Sequence, residues 1–388
     1  MQSINGMTSF NELVQGCGFV GEVGRNLCCG QVMVLARAFG DFASPEGDGL
    51  FAIGHDVRSS SPSLAEAVSM GLRSGGHHVT HIGVCTKPLL EWYIDYKGLH
   101  GGVMITGGCG LPEWNGLRLY DKSARPVPAS AVLESLATWD LNRLFSRPCE
   151  PELRHDEPLQ AYVAHLRQRF RPATPINLCI DAGNGPAGPE IEAIVAHFPQ
   201  MRLQRVGFEP DATFPLRGPD PFSPPAQQVL SNSVTANGCH LGAALDADCD
   251  LLSVRDEHGQ KVPADVVGAL LALALAPRNP GHRVLYGSGV RPSVLRYLSQ
   301  AQIPTHPIDE LPCATYAALR QGDACLYFDS IGHYAFGDFP GTANALLALL
   351  ELINHLTASG RAMSCLVKEI DTAPLTDKTP VPTIGDQS

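Results

Sequence analysis

Three aspartates at alternating positions, Asp246, Asp248 and Asp250, stand in the segment LGAALDADCDLLSVRDEHG, residues 241–259. An apolar run leads into them and another follows, which places the carboxylates in a turn between two strands. Carboxylates at i, i+2 and i+4 of a turn can converge on a hard divalent cation, which takes oxygen ligands. The glycine and distal glutamate of an EF-hand are missing, and strands replace its helices. A solvated acidic loop is the other reading of the same residues. Two further clusters lead nowhere. Gly287-x-Gly289 lies between a strand and a helix, where backbone N–H groups can cradle a phosphate, but the dinucleotide fingerprint is incomplete. His77-His78-x-x-His81 runs into a strand whose alternating side chains face opposite ways, so it reads as a strand edge and not as a zinc cluster.

The elements that must hold these residues alternate. The pattern predicts strands over 50–53, 79–84 and 102–105, with a helix over 63–74 opened by Ser61-Pro62. It resumes with a strand over 176–180, a glycine turn and a helix over about 189–197. A strand over 242–245, a helix over 264–276, a strand over 283–286 and a helix over 294–299 follow. Such alternation argues for α/β layers with mainly parallel sheets. The proline-rich stretch 147–158 reads as a linker, and 208–225 as a long surface loop.

Composition narrows the function classes. The chain has 388 residues and a net charge of −11, with 44% hydrophobic and 17% charged residues. That is globular, of a size for two to four domains. An acidic chain without a Lys/Arg block is a poor partner for nucleic acid or an anionic membrane. No apolar run approaches the roughly 20 residues needed to span a bilayer. No basic, then apolar, leader opens the chain. Twelve cysteines without CxxC pairs predict reduced, mostly buried thiols and a cytoplasmic protein.

Together with the aspartate loop, several segments in order resemble the α-D-phosphohexomutases, the phosphomannomutase/phosphoglucomutase family. They are IGHDVRSSS (53–61), HIGVCTKP (81–88), TGGCGLPEWNGLRLY (106–120), DAGNGPAG (181–188), the proline-rich 209–224 and GHYAF (332–336). The resemblance implies three consecutive α/β domains of that type, with mixed, mainly parallel sheets. Their expected bounds are 1–150, 151–258 and 259–370, with a flexible tail over 371–388 and the family's fourth domain absent. It implies Mg²⁺, held weakly by Asp246, Asp248 and Asp250. It offers Arg25, Arg58, Asp329 and His333 as candidate sugar-phosphate contacts. For Arg58 an internal ion pair with Asp56 is an equal alternative.

The departures fall on the chemistry. Gly108 occupies the place of the family's phosphoserine, and covalent transfer needs an atom that can attack and leave. Cys109, one residue on, is a candidate replacement nucleophile or an incidental thiol. Leu251 stands for the magnesium-loop arginine, and Ile331 for a sugar-contacting serine. Leu311-Pro312-Cys313 stands where the family has a segment ending in lysine. The expectation is an inactive homologue acting through binding, scaffolding or regulation in carbohydrate or polysaccharide metabolism, with a protein partner or a second copy. Residual mutase or phosphatase activity and a sugar-phosphate sensor are the alternatives.

Overall fold

The structure, a computed structural model, describes residues 10–137, 139, 151–308, 316–319, 322 and 324–373. The segment 311–313, the first part of the expected linker and the tail from 374 lie outside the described residues.

The first sheet contains β1 (Gly18–Glu22), β2 (Leu50–His55), β3 (His78–Val84), β4 (Gly101–Ile105), β5 (Trp114–Asp121) and β6 (Leu153–His155). Their order is β1-β5-β4-β2-β3-β6. The β4-β2-β3-β6 part is parallel, and β5 and β1 close one side antiparallel. Its helices are α1 (Cys29–Ala43), α2 (Ser61–Ser74), α3 (Lys87–Lys97) and α4 (Ala129–Ala137). Alternation along the strands assigns the faces. Phe51, Ile53, Val103 and Ile105 enter a core with Leu35, Phe39 and Leu72 of α1 and α2. Ala52 and Met104 point the other way, into a core with Trp92 and Ile94 of α3. Both faces are therefore covered, as a parallel sheet requires. Because β6 pairs with β3, the first sheet takes the chain to 155, and the expected linker contributes an edge strand.

After α5 (Leu159–Arg167) comes the second sheet, with β7 (Ile176–Asp181), β8 (Met201–Val206), β9 (Leu241–Leu245), β10 (Leu252–Arg255) and β11 (Lys261–Val262) in the order β11-β10-β9-β7-β8. Helices α6 (Ala187–Val195) and α7 (Pro224–Ala236) supply its crossovers. Helix α8 (Ala264–Leu275), apolar but for Asp265 in its first turn, leads to the third sheet. That sheet holds β12 (Arg283–Tyr286), β13 (Thr305–Pro307), β14 (Ala324–Phe328) and β15 (Tyr334–Phe336) in the order β13-β12-β14-β15. Helices α9 (Pro292–Gln300), α10 (Ala345–Ser359) and α11 (Met363–Asp371) complete this unit. One apolar core runs through all three units, from Trp92 by way of Tyr162 and Leu245 to Leu347.

Two buried glutamates brace the units where that core passes. Glu190 of α6 accepts from the Thr86 N–H at 3.0 Å and the Thr86 hydroxyl at 2.9 Å. Glu91 of α3 accepts in the same way from Thr342, at 2.9 and 2.7 Å. Thr86 also caps α3 through Leu89 N, and Gly98 ends that helix in the left-handed region that glycine adopts freely. The sequence predicts reduced thiols throughout; Cys17 is instead disulfide-bonded. Cys28, Cys29 and Cys365 are exposed, whereas Cys85, Cys179, Cys239, Cys249 and Cys325 are buried as expected. Among the described residues no helix is long and apolar enough to cross a membrane.

Candidate functional site

The turn between β9 and β10 carries the three aspartates. Asp246 Oδ1 accepts from the backbone N–H groups of Asp250 and Leu251, at 2.9 and 2.8 Å, which curls the loop on itself. Cys249 takes φ +67° to complete the curl. One ligand oxygen from each of Asp246, Asp248 and Asp250 lies within 4.8 Å of the others. Burial, then the Asp250 and Asp248 charges, push the Asp246 carboxyl well above its ordinary range. Asp248 Oδ1 is buried and has no hydrogen-bond partner among the described residues. An all-oxygen donor set with one orphaned buried oxygen fits a hard divalent cation such as Mg²⁺.

The loop after β4 faces this turn. Asp56 and Arg58 hold it from below. Asp56 accepts from Arg58 N, the Ser61 hydroxyl, Gly107 N and the Arg58 guanidinium. Arg58 Nη2 then donates to Gly108 O at 2.9 Å and Gly110 O at 2.6 Å, with the guanidinium over the Phe214 ring. The Arg58 side chain is fully buried and its head is directed at protein oxygens. Of the two readings of Arg58, the ion pair is the one these contacts describe, and it sets the loop's position. Gly108 has φ +54°, and a Cβ built on it would meet only Asp248 Oδ2, at 3.8 Å. A side chain at 108 would thus project at the aspartates. Cys109 Sγ lies 3.7 Å from Asp246 Oδ2. Burial, then the Asp246 charge, raise that thiol far above its usual range, so it stays protonated.

Residues 106–120, the aspartate turn and the start of β15 are thereby brought together. Leu252 N donates to Gly332 O, joining the second and third units beside the turn. Asp329 Oδ1 gathers the N–H groups of Ile331, Gly332 and His333, at 2.9 to 3.0 Å. Its Oδ2 lies 2.7 Å from His333 Nδ1. Burial would lower the His333 pKa, but the Asp329 bond and the Asp250 charge override it and raise it. A cavity of about 330 Å³ opens here, lined among others by Lys87, Arg118, Tyr120, Asp250, Asp329 and His333. Arg25 is not among its lining residues; it is exposed and pairs with Glu22 at 2.9 Å.

Residues 13–139 match phosphoglucomutase/phosphomannomutase α/β/α domain I, and residues 160–259 match domain II. The phosphomannomutase of Escherichia coli K12 is 30% identical over 363 residues, which is 90% of this chain and 78% of that protein. The chain belongs to the phosphoglucomutase/phosphomannomutase family. The phosphohexose mutases protein of Xanthomonas campestris is 28% identical over 86% of this chain and 75% of its own length. The crystal structure of a phosphoglucomutase/phosphomannomutase family protein from Burkholderia thailandensis has a TM-score of 0.83 at 23% identity, covering 95% of this chain and 81% of that one. N-acetylphosphoglucosamine mutase of Aspergillus fumigatus, in complex with GlcNAc-6P and magnesium, has a TM-score of 0.51 at 13% identity, covering 83% and 66%.

Within this phosphohexomutase fold, two cavity residues escaped the sequence reading. Arg118 lies in the quoted segment 106–120, and its Nη1 donates to Gln15 O at 3.3 Å. Lys87 lies one residue past the Thr86 cap, and its Nζ meets Asp250 Oδ2 at 2.5 Å. Burial alone would raise the Asp250 pKa; the Lys87 ammonium, then His333, hold it below the usual carboxylate range. Nothing in local spacing announces a contact between residues 87 and 250.

Proposed function

We propose that this phosphohexomutase homologue does not carry out phosphoserine chemistry and acts through binding. The observation that supports this most is Gly108. It faces Asp248 with no side-chain atom to accept and release a phosphoryl group, and a covalent relay requires one. Cys109 is a poor substitute, because burial opposes ionisation of its thiol and it lies one residue from the position that faces Asp248. Asp246, Asp248 and Asp250 would hold Mg²⁺, which when bound neutralises charge on a phosphate.

The cavity favours a sugar phosphate as the ligand. Arg118 offers a planar fork suited to a phosphate, and the Asp329–His333 pair offers partners for hydroxyl groups. A protein partner or a second copy of the chain, and action in the cytoplasm, belong to the same proposal. Light scattering and cell fractionation test them. For the binding role, the chain is incubated with radiolabelled hexose bisphosphate and titrated calorimetrically with glucose 1-phosphate and mannose 1-phosphate. The expected results are no label retained on the protein and a heat of binding that Arg118→Met abolishes. Covalent label that Cys109→Ala removes would overturn the first part, and absence of heat the second.

A further inference from the structure

Lys87 is a buried cation placed against the metal turn by an element from a different unit. Its side chain is 8% exposed, although a lysine on the first turn of a helix could reach water at little cost. Two contacts fix it there. The Lys87 backbone N–H donates to Asp248 O at 3.1 Å, and Nζ lies 2.5 Å from Asp250 Oδ2. Backbone and side chain of one residue thus grip two of the three aspartates. Among the described residues Asp248 Oδ1 is left without a partner, while Asp246 Oδ1 is satisfied by backbone N–H groups.

We propose that Lys87 is a tethered counter-ion of the aspartate turn, supplying from within the chain part of the positive charge that a bound divalent cation would otherwise bring. Three carboxylates within 4.8 Å repel one another, and a fixed ammonium on one of them relieves that repulsion permanently. The turn keeps its shape without an ion, and an arriving cation finds Asp250 already engaged. Lys87 therefore weakens divalent-ion binding while it pins α3 to the β9–β10 turn. The inference takes the aspartate site of the proposed function as given. Its readouts are ion binding and folding, so its failure leaves the absence of phosphoryl transfer untouched.

The test uses Mn²⁺ alone as the probe, followed by its electron paramagnetic resonance signal, on the wild-type chain, Lys87→Met and Lys87→Arg. Removing the charge while keeping an apolar stem should tighten Mn²⁺ binding at least about 10-fold, and Lys87→Arg should stay close to wild type. Thermal unfolding gives the second readout. At one fixed Mn²⁺ concentration, the midpoint should rise above its EDTA value by less in the wild-type chain than in Lys87→Met, and the EDTA midpoint of Lys87→Met should lie below that of the wild type. Mn²⁺ binding to Lys87→Met no tighter than to wild type would overturn the proposal. If that variant does not fold even in Mn²⁺, Lys87→Gln decides in the same assay: Mn²⁺ binding tighter than wild type upholds the proposal, and binding no tighter overturns it.

Discussion

Glu190 joins the second unit to the first through both Thr86 donors, and its carboxyl is buried at that joint. Burial raises its pKa from 4.5 to about 7, against the opposing pull of the two hydrogen bonds. The folded chain therefore retains a proton that the unfolded chain releases on passing pH 4.5. The stability this proton contributes is fully present below pH 4.5 and is lost as pH rises through about 7. The difference between 7 and 4.5, at 1.36 kcal/mol per pH unit, amounts to about 3 kcal/mol. Glu190→Gln removes the titration and keeps an oxygen for Thr86 N, while its amide N–H can donate to the Thr86 hydroxyl. Urea unfolding of both chains, followed by fluorescence from about pH 4 to pH 8, isolates the contribution of this group. Wild type should lose about 3 kcal/mol relative to Glu190→Gln across that range. Parallel curves, or a wild type that gains on the variant as pH rises, would refute the assignment of a buried, proton-retaining carboxyl to this joint.

The loop beneath the site gives further expectations. Arg58→Met strands the buried Asp56 carboxylate with its remaining donors, and should cost about 3 kcal/mol and speed proteolytic cleavage within residues 106–110. The Asp56→Asn/Arg58→Met double variant should lose less than the two single losses combined, measured by the same urea unfolding. Gly108→Ser places a side chain in open space but at positive φ, so it should fold with a loss of about 1 kcal/mol. At neutral pH, Cys109 should alkylate far more slowly than the exposed Cys28, Cys29 and Cys365, as read by peptide mass spectrometry.

What was legible in the sequence was local. The helix at Ser61–Ser74 and the strand at Arg283–Tyr286 match their patterns because the proline of the helix's first turn and the apolar periodicity are written in neighbouring residues. The convergence of the aspartates was likewise recoverable, since they lie in one turn between two strands, whereas the facing of Gly108 toward them joins two units and no local spacing announces it. The pairing of β6 with β3 was not, because three exposed residues in a proline-rich stretch earn their strand only from a partner more than seventy positions away. Arg58 shows the limit of motif reasoning. Its match is intact, but its direction is set by Asp56, Phe214 and two carbonyl groups that come from three segments of the chain. Lys87 lies still further out of reach, since its partner is on another unit. The disulfide at Cys17 was missed because spacing gave no paired pattern.

The most direct test of the central claim is a coupled mutase assay on the wild-type chain, with Mg²⁺ and a bisphosphorylated hexose activator, beside Cys109→Ala. With glycine at position 108 against the aspartate turn, neither protein should turn over glucose 1-phosphate or mannose 1-phosphate. Turnover by the wild type that Cys109→Ala abolishes would contradict the account and make Cys109 the nucleophile.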